Sequence, residues 1–405
     1  MTHKQSMPLP WLGWIKKIRS ASKAPVVQKI GAPLGVVRRM VRPPMMTLAR
    51  LTGVEKQSQQ KLTLNCGLDK QNYHVWMNLL FGDTAVTKAT SLRFTVKSIV
   101  RKKPAADAGA ELTVVPLKYS DFSAYSDGRW FFIPEWVSGV IGLPLPKECL
   151  SQERVKSDIR RISSVGFAYD ISRDPQVFDE FYHTMYLPYI DKRHGEAAMY
   201  DSFAEKRKFS EQFDLLLVKK IDNPQLYIAG VMLIYEPEGP RFWSLGVREG
   251  GNYVQEGVIG ALYHFSFRYL LEKGFDHVRT GGSRAFLHDG VFKFKRKMSQ
   301  AIIGSNWKGY ALGVHTFTPA VKAFLISNPF IFKQHDGLSG AIFVETINAV
   351  TEKQIRRLHK DYAQPGLSLL VVYYFTAAEN QAELLIPDDL CGQLVFYPAE
   401  TILLR

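Results

Sequence analysis

Three apolar runs separated only by turn-forming residues constrain this chain more than anything else in it. Phe213–Lys220, Tyr227–Glu236 and Arg241–Val247 each read as a strand. Between them lie Asp222-Asn-Pro-Gln225 and Pro237-Glu-Gly-Pro240, which leave room for tight turns and little else. Such spacing dictates consecutive antiparallel pairing. A Gly-rich stretch, Arg248-Glu-Gly-Gly-Asn-Tyr253, comes next. It leads into Val254–Lys273, where Val254, Val258, Leu262, Phe265, Tyr269 and Leu270 share one helical face and Gly274 stops the helix. His277–Thr280 is a further strand and Asp289–Met298 a further helix. No repeat of fixed period is visible.

The remaining chain sorts around this core. Residues 1–60 form a basic, largely flexible tail, 61–150 an α/β region, 151–310 the region just described with its lead-in, and 311–405 an α/β extension. The expected class is α+β, a mixed α/β fold. Leu92–Val100 reads as a strand and 102–109 as a surface loop; Trp130–Trp136 bends at Pro134, and Gly142-Leu-Pro-Leu-Pro146 marks a boundary before a charged helix near 151–163. Between Pro175 and Tyr189, Val177, Phe178, Phe181, Tyr182, Met185, Tyr186 and Tyr189 form one apolar helical stripe. Asp174 caps that helix, Pro175 opens it, and Pro188 ends or kinks it. The C-terminal extension reads as helices over 318–325 and 351–362 and strands over 340–345, 367–375 and 393–397.

Charge and cysteine content exclude several classes. The net charge is +14, but residues 1–60 carry eleven Lys/Arg against one acid, Glu55, leaving +4 for the other 345 residues. A body that tracks nucleic acid would carry its excess within the fold, so the overall basicity argues little for such a partner. Cys66, Cys149 and Cys391 are far apart and in no CxxC spacing, and the ten histidines show no HExxH pattern. The expectation is a reducing compartment, no disulfide framework and no metal site. No apolar stretch reaches a membrane span and no secretory signal opens the sequence, so the expected location is cytoplasmic. Within residues 1–56, Pro8–Arg19 mixes Trp, Leu and Ile with cations. It suits a peripheral contact with anionic membrane on its inner face, a disordered basic tail, or an organelle transit peptide.

The chemistry concentrates at the strand-to-helix junction. Adjacent glycines there aim backbone N–H groups into one concavity beside the positive end of a helix dipole, an anion site to which Arg248 adds a charge-assisted donor. Arg248–Tyr253 resembles the Arg-x-x-Gly-x-Gly/Ala pyrophosphate loop of the GNAT acyltransferases, matching at Arg248 and Gly251, with Tyr253 where that loop has a small residue. Three antiparallel strands, this loop, an amphipathic helix, a strand and a helix is also the GNAT order. The segment Gly281–Met298 looks like the FemAB branch, whose Gly-aromatic-x-Phe-Lys pattern is met by Gly290, Phe292, Phe294 and Lys295. Tyr186-Leu-Pro-Tyr189 and Arg193-His-Gly195 resemble the helix before the FemAB core.

What the resemblance implies is a GNAT-like core with a second, partly degenerate GNAT-like half, for which the C-terminal region is one place and a mere packing extension the other reading. It implies a third core strand that splays from its neighbour, with Leu245, Gly246 and Val247 offering amides to a thioester carbonyl and Gly246 marking a bulge. Arg248, Gly250, Gly251, Asn252 and Tyr253 would hold the donor, and Lys295 would approach it. Candidate bases are Glu249 and His288, then Glu256, His264 and Asp289. Of the cations Lys293, Lys295, Arg296 and Lys297, one or two could reach a phosphate or developing oxyanion, and a solvated helix face is the other reading for Arg296 and Lys297. The expected function is N-acyl transfer from an acyl-CoA-type thioester to an amine, in cell-envelope or polysaccharide metabolism. The alternatives are FemAB-type transfer from aminoacyl-tRNA and a catalytically silent scaffold.

Overall fold

In the computed structural model the described residues are 45–404, apart from 96–108, 127–129, 196–201, 210–211, 335–336, 348–350 and 378–385. Most of the basic tail therefore lies outside the described residues, as does all but Gly109 of the loop expected at 102–109. The strand β1 (Met45–Val54) nonetheless begins inside the basic segment, with Leu48 and Leu51 turned into the core.

Two sheets share one plan. The first half runs β1, β2 (Lys61–Cys66), α1 (Lys70–Leu80), β3 (Thr87–Thr95), β4 (Leu112–Lys118), α2 (Tyr119–Tyr125), β5 (Trp130–Pro134) and β6 (Val137–Gly142). After α3 (Glu153–Val165), the second half opens with β7 (Phe167–Ser172). A helical lead-in follows: α4 (Pro175–Glu180), a π-turn (Phe181–Tyr186), α5 (Leu187–His194) and α6 (Phe203–Arg207). Then come β8 (Phe213–Lys220), β9 (Asn223–Glu236), β10 (Gly239–Val247), α7 (Val258–Glu272), β11 (His277–Ser283), α8 (Gly290–Lys297), β12 (Ala301–Ser305) and β13 (Lys308–Val314).

The sheet orders are β3-β1-β2-β4-β13-β5 and β12-β6-β11-β10-β9-β8-β7. Laid strand on strand, β1-β2-β4 matches β9-β10-β11, whereas β3, which lies beside β1 as β8 lies beside β9, follows α1 in the chain while β8 precedes β9. β2 and β4 are parallel with α1 between them, as β10 and β11 are parallel with α7 between them. Each half then gives its last strand away. β6 inserts between β11 and β12, and β13 inserts between β4 and β5, every contact antiparallel. The second half-core thus sits at residues 45–142. The C-terminal region is the packing extension: α9 (Pro319–Ser327), β14 (Phe330–Gln334), β15 (Gly337–Ile347), α10 (Glu352–Tyr362), β16 (Leu367–Ala377) and β17 (Leu394–Pro398) make a four-stranded sheet. It docks on the first half through Phe330 and Phe332, whose rings meet Phe131 of β5 at 5.2 and 5.3 Å.

Pro188 neither ends nor sharply breaks the lead-in helix. Asp174 caps it by accepting from the Gln176 N–H at 2.8 Å, as its sequence position predicts. The missing donor at Pro188 is accommodated because the preceding turn widens to π spacing, and the helix resumes at Leu187. One stripe of this helix still faces the sheet: Phe178, Phe181, Tyr182, Met185 and Tyr186 pack on Phe213, Leu215, Leu217, Met232 and Ile234. On the opposite face α7 buries Val258, Leu262, Phe265 and Leu270.

Candidate active site

β10 carries a bulge at Trp243. Phe242 opposes Leu233 and Ser244 opposes Met232, so Trp243 is the extra residue. The bulge therefore lies three residues before Gly246, the position the sequence suggests. Gly246 is regularly paired with Gly230. Its missing side chain has a different use: a Cβ there would stand 2.5 Å from the Tyr186 backbone N, so only glycine lets the π-turn lie on the strand.

From the bulge onward β10 leaves β11. Their register contains one pair, Arg241 with Arg279. An ionic knot holds that base: Arg241 donates to Glu236 Oε1 at 2.6 and 3.0 Å, and Arg279 to Glu236 Oε2 at 2.7 Å and Glu238 Oε2 at 3.1 Å. Beyond it β11 is held from the other side. Thr280 Oγ1 donates to the Gly139 carbonyl of β6 at 3.1 Å, and Lys295 Nζ reaches the carbonyls of Gly281 and Gly282 at 2.5 and 3.1 Å and Ser283 Oγ at 3.0 Å. Because β10 alternates its N–H groups between its two edges, alternate amides over 242–247 face the diverging side rather than a strand partner. The equivalent place in the first half is closed. Leu64, Asn65 and Cys66 pair in sequence with Leu112, Thr113 and Val114, and the Gly67 N–H continues to the Val114 carbonyl at 3.1 Å.

The second half has the strand and helix order that the sequence resemblance to GNAT acyltransferases implies. The first half repeats its plan with the parallel pair zipped, which is the physical sense of partly degenerate. No family model matches the sequence, and no curated protein matches it. Among solved structures the chain is similar to L-PGS from Bacillus licheniformis, at 12% identity over 55% of this chain and 74% of that one, TM-score 0.33. It is also similar to the C-terminal domain of a putative lysylphosphatidylglycerol synthetase from Agrobacterium fabrum, at 13% identity over 71% and 89%, TM-score 0.32. A third is FemX, at 13% identity over 63% and 81%, TM-score 0.32.

The loop after β10 takes the left-handed conformation at three successive residues: Glu249 (φ 56°), Gly250 (φ 66°) and Gly251 (φ 101°). It is seated on α5, since a Cβ on Gly250 would lie 2.8 Å from Lys192 Cδ and one on Gly251 3.3 Å from the Tyr189 ring. A 3-10 turn over Asn252–Val254 follows, so α7 starts at Val258, behind Gly257 (φ 92°), rather than at Val254. Asn252 Nδ2 donates to Glu249 Oε2 at 2.8 Å, Asn252 Oδ1 accepts from Lys192 at 3.1 Å, and Lys220 Nζ stands 5.6 Å above the Tyr253 ring. Arg248 is committed: Nε donates to the Tyr227 carbonyl at 2.6 Å and Nη2 to Glu180 Oε1 at 2.5 Å, tying β9 to α4.

The candidate acids and bases scatter. Glu249 is exposed beside the loop. His288 is turned to the C-terminal extension, its Nδ1 against the Ser327 carbonyl (2.9 Å) and its Nε2 against the Tyr362 hydroxyl (3.0 Å). Glu256 pairs with Lys220 at 2.7 Å, and Asp289 caps α8 by accepting from the Phe292 N–H at 2.8 Å. Burial pushes the His264 imidazole down, against Asp158. Burial also pushes the Lys295 ammonium down to about 7, although its three acceptors match the three protons of the charged form. Lys297 pairs with Asp158 at 2.5 Å and Arg296 donates to the Asp361 carbonyl, so neither is a freely solvated charge. Leu245 through Tyr253 are thus brought together along one edge and loop, with Lys295 reaching from α8 to the facing strand. Sequence reasoning misses Lys206, buried against Trp243, Ser244 and Tyr186. Ser202-x-x-Glu205 announces its short helix, but nothing local announces its burial.

Proposed function

We propose that this chain is an N-acyltransferase that takes an acyl group from an acyl-CoA-type thioester and passes it to an amine. The reading rests on the open edge of β10 where it leaves β11, set against the zipped equivalent of β2 and β4. Amides fixed beforehand at Leu245–Val247 suit the developing oxyanion when the amine nitrogen attacks the thioester carbon. Each such donor contributes about 3–4 kcal/mol in comparable sites. As the C–S bond breaks, the thiolate takes the proton that the amine releases. Gly250, Gly251 and Asn252, together with the start of α7, supply backbone donors suited to a pyrophosphate. Lys295 holds the facing strand, and Glu249 is the acid or base candidate beside the loop, whereas His288 sits too fully occupied to serve. An acceptor in cell-envelope or polysaccharide metabolism, and a cytoplasmic protein resting on anionic membrane through residues 1–56, complete the proposal. No helix among the described residues is long and apolar enough to cross a membrane.

One observation favours a second donor. Arg248, the charged member of the pyrophosphate loop, is already ion-paired with Glu180, which suits an aminoacyl-tRNA donor gripped elsewhere. Calorimetric titration separates the two. With acetyl-CoA, saturable binding is expected, lost in Arg248→Ala and strengthened about ten-fold in Glu180→Gln, the worth of one freed charge-assisted donor. Binding to charged tRNA alone, falling steeply with salt, establishes the second reading. Binding to neither refutes transfer.

A further inference from the structure

Lys206 is wholly buried. Its short helix α6 is fixed by a capping box, Ser202 Oγ accepting from the Glu205 N–H at 3.2 Å and Glu205 Oε2 from the Ser202 N–H at 3.3 Å. From there the side chain runs to the sheet. Its ammonium lies 4.4 Å from the centre of the Trp243 ring and 5.0 Å from that of Tyr186, and it donates to Ser244 Oγ. Phe209 closes on Trp243 edge-on at 5.5 Å.

The identity of those neighbours gives the cation its meaning. Trp243 is the extra residue of the β10 bulge, and Ser244 is where the register resumes. Tyr186 ends the π-turn, and its backbone is what Gly246 admits. One ammonium therefore touches both residues of the bulge and the turn that backs the following strand. At the bulge Trp243 falls outside the regular register with β9, and a desolvated ammonium needs compensation. The indole face and the hydroxyl are among the groups that solvate the cation, and the cation in turn fixes where they stand.

We infer that Lys206 is a positioning residue, which holds the bulge in the form that aims the open edge of β10. This rests on the reading of that edge as the donor site, but its first consequence concerns the bulge alone. In the full chain carrying 15N-indole tryptophan, with the Trp243 signal assigned by Trp243→Phe, Lys206→Met and Lys206→Ala should shift the Trp243 resonance. Both should weaken acetyl-CoA binding at least ten-fold. In Lys206→Ala, millimolar n-propylammonium should restore both the resonance and the binding, because the vacated cage accepts a small cation. Should those variants fail to fold, Ser244→Ala removes one contact only and should shift the same resonance and weaken binding two- to three-fold. An unmoved Trp243 signal in any of these folded variants overturns the inference. So does a shift in Lys206→Ala that propylammonium cannot reverse. If the native chain binds no acetyl-CoA, the donor reading falls, and the resonance and its rescue alone decide the role of Lys206.

Discussion

Cut between residues 145 and 146, the chain should yield two fragments that do not fold apart and regain structure when mixed. The reason is the reciprocal loan of strands. Without β6, β11 and β12 lose their shared neighbour, and Val137, Val140 and Ile141, each at most 5% exposed, leave the core. Burying such side chains contributes about 1.5–3 kcal/mol each. With the broken ladders, the loss is comparable to the whole stability of a typical domain, about 5–15 kcal/mol. In the other fragment β4 and β5 lose β13, with Tyr310, Leu312 and Val314. Circular dichroism of each fragment and of the mixture checks this; a cooperative thermal transition from residues 146–405 alone contradicts it.

Asp214→Ala should cost about 3 kcal/mol of stability. Asp214 is fully buried on β8 and accepts from Arg173 (2.6 Å), Tyr235 (2.5 Å), Tyr269 (2.6 Å) and Lys273 (3.0 Å). Charge-assisted bonds contribute about 1.5–3 kcal/mol each. The sum is discounted here because the Arg173 side chain is 60% exposed and recovers water when its partner goes. Burial alone would raise the Asp214 carboxyl, but the four donors outweigh it and hold it well below the usual carboxylate range. A carboxyl depressed on folding stabilises fully above its unfolded value, near 3.9, and loses that contribution as pH falls toward the folded one. Urea melts should therefore separate native and variant widely at pH 7 and less at pH 3. A constant separation across that range would contradict this account of Asp214.

How far the sequence carries depends on whether a feature is local. The strands of residues 213–247, the helix caps at Asp174 and Asp289 and the α/β class follow from short-range pattern, and the structure keeps them, while the turns shorten to 221–222 and 237–238 because β9 already begins at Asn223 and β10 at Gly239. The duplication does not follow, because its two copies share the order of three strands and a crossover helix while their residues have no common period. The exchange of β6 and β13 is invisible for a related reason. Gly142-Leu-Pro-Leu-Pro146 suggests a boundary along the chain, yet β6, which ends at Gly142, belongs spatially to the sheet that follows. Gly246 misleads because a strand glycine signals either a bulge or a close backbone approach, and here the bulge falls on Trp243, whose residue type gives no hint. The site loop is legible in composition, but the commitment of Arg248 to Glu180 depends on residues 68 positions apart.

Residue-resolved hydrogen exchange, with and without acetyl-CoA, tests the open edge of β10 most directly. Edge-facing amides within Ser244–Val247 should exchange far faster than those of Leu64–Cys66 in the zipped first half, and should slow when the thioester is added. Equal protection of the two segments in the free protein would mean that β10 has no open edge to offer.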